Sequence, residues 1–180
     1  MKDLNVLLAG FGGQGILFMG KLIAYAGLID GREVSWLPSY GPEMRGGTAN
    51  CTVVISDQEI GSPTVRNPRA VLAMNLPSLD KYEPLMAAGG CLIVNQSMVN
   101  RAVTRTDLHV VVLPANAIAA EIGNERATNM VMLGALMANM DILPEGALER
   151  ALKAHTSQRL QKFVDMNTRA LARGAEYRAK

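Results

Sequence analysis

Cysteine, histidine and aromatic residues are all scarce in this 180-residue chain, and each shortage removes a class of chemistry. Its two cysteines, Cys51 and Cys91, form no CxxC unit, and neither has neighbouring cysteines to complete a zinc or iron–sulfur site. Both read as small buried hydrophobes in apolar strands. Of the two histidines, His109 alternates with valines and reads as a satisfied strand residue. His155 lies near a helix end, where it would be solvated and favourable to the helix dipole. Neither has a Ser, Cys or carboxylate placed by sequence as a triad. No self-contained active site can be assembled from these residues, so this chain is expected to supply no catalytic residue and no metal ligand.

Other absences concern partners. The 18 basic and 16 acidic residues are mixed along the chain, with a basic lean only from Arg159 to Lys180. Without a polybasic block interleaved with aromatics there is no nucleic-acid surface. No stretch reaches the ~20 apolar residues of a membrane span. The apolar run Val6 to Ala9, after Lys2-Asp3, is too short for the core of a signal peptide, so the expected location is cytoplasmic. What the chain does have is apolar surface: 49% hydrophobic residues, a mean hydropathy of +0.12 and eleven methionines. That composition suits one domain, residues 1–180, with a large core and a large interface.

Short apolar runs alternate with helical patterns. Leu4 to Ala9 reads as a strand, and Gly15 to Leu28 as a helix with Ile16, Met19, Leu22, Ile23 and Ala26 on one face. Val34 to Leu37 then gives a second strand and a βαβ unit. Ala49 to Ser56 is a strand able to form a hairpin. Further strands are expected at Ala70 to Met74, Cys91 to Asn95 and Leu108 to Leu113, with a helix at Ser78 to Ala87. Four helical stretches follow: Ala115 to Ile122, Asn129 to Met140, Pro144 to His155 and about Arg159 to Ala172. The pattern predicts an α/β fold, a doubly wound, mostly parallel, Rossmann-like sheet with helices on both faces and additional C-terminal helices.

Two loops stand out. Gly10-Phe-Gly-Gly-Gln-Gly15 satisfies G-x-G-x-x-G between a strand and a helix, where backbone N–H groups can hold a phosphate. The residues of interest are Gly10, Gly12, Gly13, Gln14 and Gly15. A dinucleotide site would also need an acid near the end of the second strand, yet that position reads Leu37-Pro38-Ser39, and Asp30 lies in the turn before the strand. The turn is therefore a close-packing connector, a dinucleotide site without its ribose partner, or a cradle for a phosphate-bearing group presented by another subunit.

The second loop, Ser39-Tyr40-Gly41-Pro42-Glu43-Met44-Arg45-Gly46-Gly47, places a carboxylate and a guanidinium two residues apart among glycines that permit close backbone approach. Its alternatives are an ordinary turn with Glu43 and Arg45 solvated or paired with each other, and a contact element. In a doubly wound sheet both loops follow the C-terminal ends of strands and should share one rim.

These motifs, with Val53-Val-Ile-Ser-Asp57 and Asn129-Met-Val-Met-Leu-Gly-Ala135, together resemble the gamma subunit of the 2-oxoacid:ferredoxin oxidoreductases, in order and through essentially the whole chain. Trp36 to Asn50, Ile60-Gly-Ser-Pro63 and Asn75-Leu-Pro-Ser-Leu79 look most like the 2-oxoglutarate type, with pyruvate or branched-chain 2-oxoacids as alternatives. The resemblance implies oxidative decarboxylation of a 2-oxoacid with coenzyme A, giving an acyl-CoA, carbon dioxide and reduced ferredoxin. It implies that thiamine diphosphate, Mg2+ and iron–sulfur clusters sit in partner subunits and that this chain alone binds none of them. The implied partners are alpha and beta catalytic subunits and a ferredoxin-like subunit or ferredoxin, with coenzyme A approaching the two loops. A free-standing Rossmann-like nucleotide-binding module is the competing reading.

Overall fold

A computed structural model describes residues 4–41, 46–141, 143–155, 161 and 163–179. Six strands, β1 (Leu4–Phe11), β2 (Glu33–Tyr40), β3 (Thr48–Ser56), β4 (Ala70–Ala73), β5 (Cys91–Asn95) and β6 (His109–Leu113), form one sheet in the order β2-β3-β1-β4-β5-β6. The helices are α1 (Ile16–Ile29), α2 (Leu76–Tyr82), α3 (Ala115–Glu121), α4 (Thr128–Asn139), α5 (Ala147–His155) and α6 (Val164–Ala175). β1, β4, β5 and β6 are parallel, whereas β3 runs antiparallel to both its neighbours.

Burial explains the order. Every residue of β3 from Cys51 to Ser56 is buried, so this strand has to lie inside the sheet. β2 is half exposed and carries Pro38, which suits an edge where a missing N–H breaks no ladder. The expected hairpin thus forms between β2 and β3, but the expected βαβ unit is altered. β1 and β2 do run in the same direction, with β3 inserted between them.

Both faces of the sheet are covered. Val6, Leu8, Cys51, Val53, Ile55, Leu72 and Ile93 pack beneath α1 and the C-terminal helices, while Leu7, Ala9, Val71, Leu92 and Val94 meet Leu79, Tyr82 and Met86 on the other side. Helix α1 lies close to β2 and β3 because two glycines on one face remove side chains there. A β-carbon on Gly20 would run into the Cys51 sulfur, and one on Gly27 would lie 2.8 Å from Val34 Cγ2.

Helix α2 differs from expectation, starting at Leu76 and giving way to a 3-10 turn at Glu83–Leu85. Asn75 caps its start by accepting the Ser78 N–H at 3.0 Å, and Pro84 lacks the N–H that would continue the α-helical ladder. Of the last expected helix, about Arg159 to Ala172, residues 159, 160 and 162 lie outside the described residues, and α6 runs from Val164 to Ala175.

Cys51 and Cys91 are buried free thiols, as expected, and burial pushes them up to about 12 and about 11 respectively. His109 is exposed on the edge strand β6. His155, expected to be simply solvated, stacks its exposed ring on Tyr25 with centroids 3.7 Å apart and planes 6° from parallel.

Candidate functional site

At the end of β1 the chain makes a tight turn closed by its own groups. Gln14 N–H donates to the Phe11 carbonyl at 3.1 Å, and Gln14 Oε1 accepts from Phe11 N–H at 2.7 Å and from Asn75 Nδ2 at 3.2 Å. Gly13 and Gly15 have φ of 99° and 78°, the left-handed region that favours glycine. Among the described residues no side chain caps the first turn of helix α1, whose leading N–H groups have no intrahelical acceptor. The turn tolerates little bulk. A β-carbon at Gly10 would lie 2.6 Å from Gln14 Oε1 and 2.9 Å from Met74 Cβ, and one at Gly15 would overlap the Asn129 amide.

The second loop joins this turn directly. Gly12 N–H donates to the Gly47 carbonyl at 2.8 Å, and Gly46 N–H donates to the Gly12 carbonyl at 3.3 Å. Gly10 and Phe11 face Ala49 and Thr48 across the ladder, and Tyr40 faces Ala49 on the other side. The two loops therefore share one rim. Ser39 and Tyr40 are exposed at the end of β2, and Gly41 N–H closes the hairpin on Thr48. Glu43 and Arg45 lie outside the described residues, so their side chains are assigned by motif alone.

A cavity of about 390 Å³ opens beside the glycine turn, lined by Gly13, Gln14, Gly15, Met74, Asn116, Glu125, Arg126, Thr128 and Asn129. It lies along the edge where parallel strands end, the edge at which open α/β sheets bind ligands. The chain after β4 supplies Asn75, the last residue of β5 is Asn95, and the chain after β6 supplies Asn116. Asn75 and Asn95 are buried, and Asn95 Nδ2 donates to the Met74 carbonyl at 3.3 Å and to Asn116 Oδ1 at 2.9 Å. Sequence reasoning gave no role to these asparagines, although Asn75 and Asn129 open two of the motifs. The available signal was an asparagine at or just beyond the end of an apolar strand or at a helix start. A larger groove of about 820 Å³, between α4, α5 and α6, shares no residue with this rim.

The strand order bears on the dinucleotide reading. With β3 between β1 and β2, the end of β2 is two strands, or about 10 Å, from the glycine turn. An acid there would be out of place for a ribose whose diphosphate sat on α1, and the residues present are Leu37, Pro38 and Ser39. Among the described residues no three His, Cys, Asp or Glu side chains are grouped to hold a metal ion. None of the helices described is long and apolar enough to cross a membrane.

Fold and rim together define an α/β domain whose motif-bearing loops converge at one sheet edge. The chain belongs to the pyruvate ferredoxin/flavodoxin oxidoreductase family, whose pattern it matches over residues 5–177. It is 42% identical, over 97% of its own length, to the ketoisovalerate oxidoreductase subunit VorA of Methanothermobacter thermautotrophicus, of which the match spans 36%. It is 38% identical, over 83% of its length, to the 2-oxoglutarate synthase subunit KorC of Methanothermobacter marburgensis, covering 84% of that protein. The gamma subunit of keto/oxoacid ferredoxin oxidoreductase from Geobacter sulfurreducens PCA has the same fold, with a TM-score of 0.85 and 28% identity over 98% of this chain and 96% of that one. The chain thus spans about a third of the VorA protein and most of KorC and of the gamma subunit. VorA and KorC are named for different 2-oxoacids.

Proposed function

We propose that this chain works as the gamma-type subunit of a cytoplasmic, multi-subunit 2-oxoacid:ferredoxin oxidoreductase. The assembled enzyme would convert a 2-oxoacid and coenzyme A to an acyl-CoA and carbon dioxide and pass the two electrons to ferredoxin. Thiamine diphosphate with Mg2+ and the iron–sulfur clusters belong to partner subunits, and this chain contributes a rim that meets those partners and the incoming coenzyme A. The observation that carries the reading is the backbone bonding of Gly12 to Gly46 and Gly47, which fuses the two family motifs into one surface. The first-turn N–H groups of α1 suit a phosphate, and Arg45 suits bidentate contact with phosphate or carboxylate.

The 2-oxoacid is proposed at two levels. The motifs around Trp36 and Asn75 point to 2-oxoglutarate, whereas the higher identity to a ketoisovalerate-named relative points to a branched-chain 2-oxoacid. Turnover of the complex purified from its source, with 2-oxoglutarate, 2-oxoisovalerate and pyruvate compared at equal concentration, ranks them. The subunit reading itself is tested by the same purification. A stoichiometric complex with thiamine- and cluster-bearing chains supports it, together with a colourless, iron-free gamma chain when expressed alone. A lone protein that retains NAD or FAD overturns it. In the complex, Arg45→Ala should weaken assembly or raise the coenzyme A requirement, and Arg45→Lys should not fully restore it.

A further inference from the structure

The edge of the sheet at β2 is bare along its backbone, and the register fixes which groups point outward. Gly12 N–H bonds the Gly47 carbonyl and Gly41 N–H bonds the Thr48 carbonyl, so odd-numbered residues of β3 bond to β1 and even-numbered ones to β2. Within β2, Ser35, Leu37 and Ser39 therefore bond to β3. The N–H and C=O groups of Val34, Trp36 and Tyr40 and the C=O of Pro38 face away from it, and among the described residues no strand lies beyond them. The side chains are as open: Trp36, Leu37 and Tyr40 are 38%, 42% and 59% exposed. Natural edge strands are commonly guarded by a charge, yet residues 34–40 carry none. Their guard is Pro38, which removes a single outward donor.

We propose that this chain forms a two-fold dimer through β2, which pairs antiparallel with β2 of a second copy. An antiparallel edge can complement itself about a two-fold axis, and the residues of β2 select one register. With the axis at Leu37, Trp36 stands opposite Pro38 of the second copy and Val34 opposite Tyr40, apolar against apolar on the α1 face of the sheet. On the other face Leu37 meets its own counterpart and Ser35 meets Ser39. Glu33, the nearest charge, falls opposite Gly41. In each half Val34 and Tyr40 exchange two backbone bonds and Trp36 N–H reaches the Pro38 carbonyl, giving about six bonds in all. Slipping the pairing by two residues sets Pro38 against Pro38 or Trp36 against Trp36 and makes fewer. This matching of β2 with itself favours a second copy over a segment of another subunit. Trp36 is already seated on α1, where its Nε1 would lie 3.0 Å from a β-carbon on Gly20, so the indole is held in place before the copies meet. Because β2 runs toward the rim and the pairing is antiparallel, the two glycine turns lie at opposite edges of the joined sheet and both stay open. The inference does not depend on the coenzyme A reading.

The test is analytical ultracentrifugation of the full-length chain from about 1 to 100 μM, over which monomer should give way to dimer. Leu37→Lys and Leu37→Glu each set like charges against each other at the axis and should weaken association ~10-fold or more. Because Leu37 is exposed, the circular dichroism of both variants should match wild type. An equimolar mixture of the two should regain the dimer. Leu37→Cys should form a disulfide-linked dimer under mild oxidation, since residues opposed in a pair without mutual backbone bonds have Cα atoms ~4.5 Å apart. Ser35→Cys and Ser39→Cys should not, because the two copies of each lie ~13 Å apart. Cys51 and Cys91 are buried, so wild type should stay unlinked. A wild-type chain that remains monomeric, a Leu37→Lys variant that dimerises as tightly as wild type, or Ser35→Cys linking as fast as Leu37→Cys overturns the proposal.

Discussion

Gly174 of α6 lies against the Val131 carbonyl of α4, so closely that a β-carbon on Gly174 would occupy the space of that oxygen. The relationship is reciprocal, because a β-carbon on Gly134 would strike the Leu171 carbonyl. The two helices cross with backbone against backbone, and no rotamer change can relieve an added methyl. Gly174→Ala and Gly134→Ala should each destabilise the chain by ~1–3 kcal/mol, the usual penalty for overpacking. Chemical denaturation of the two variants measures it. Since Asn129 lies in the first turn of α4, the same variants should disturb its packing beside Gly15 and change its side-chain resonance even where the fold persists.

Glu83 supports a second prediction. Burial alone would raise its carboxyl, but Oε1 accepts from the Thr104 hydroxyl at 2.7 Å and from the N–H groups of Arg105 at 2.9 Å and Thr104 at 2.5 Å. Arg101 pairs with Oε2 at 2.8 Å, close in distance though off the hydrogen-bonding axis. Together they lower the group from its ordinary 4.5 to about 2. A folded-state value below the unfolded one means stability that is fully present above the unfolded value and lost as pH falls toward the folded value. The wild-type chain should therefore lose stability between about pH 5 and pH 2, by about 3 kcal/mol from this group. Glu83→Gln should be less stable than wild type at pH 7 and should flatten this part of the profile.

The thiols give a third. Cys51 and Cys91 are buried and pushed up to about 12 and about 11, so neither supplies appreciable thiolate at neutral pH. A thiol reagent at pH 8 should leave the native chain unmodified on the timescale of minutes and label two cysteines per chain in denaturant. Rapid labelling of either under native conditions would place that cysteine at the surface and contradict the packing of Gly20 on Cys51.

How far these features can be read from the residues depends on the kind of information involved. The strands at 70–73, 91–95 and 109–113 were legible because each is a short apolar run between breakers, and the convergence of the two glycine loops followed from their placement after strand ends. The position of β3 was not, because hydrophobic periodicity fixes which face is buried but not which strand is the neighbour. Burial on both faces of Cys51 to Ser56 was the available hint. The amide-lined cavity was also hidden. Glu43 and Arg45 draw attention by charge, whereas Asn116 and Asn129 become informative only when the partner of each oxygen is known.

The last prediction concerns Gly15, where two penalties coincide. Its φ of 78° disfavours any β-carbon, and that carbon would also overlap the Asn129 amide. Gly15→Val should destabilise the isolated chain by ~1–3 kcal/mol, with poor assembly or loss of turnover in the complex. A double-mutant cycle separates the causes. Gly15→Ala alone carries both the backbone strain and the collision, while Gly15→Ala combined with Asn129→Ala retains only the strain. The pair should therefore be less destabilised than the sum of the single variants, by ~0.5–3 kcal/mol of coupling. Strict additivity would mean that Asn129 and Gly15 are independent. Full assembly and unchanged coenzyme A affinity with Gly15→Val would reduce the glycine turn to a connector and confine the functional rim to Ser39–Gly47.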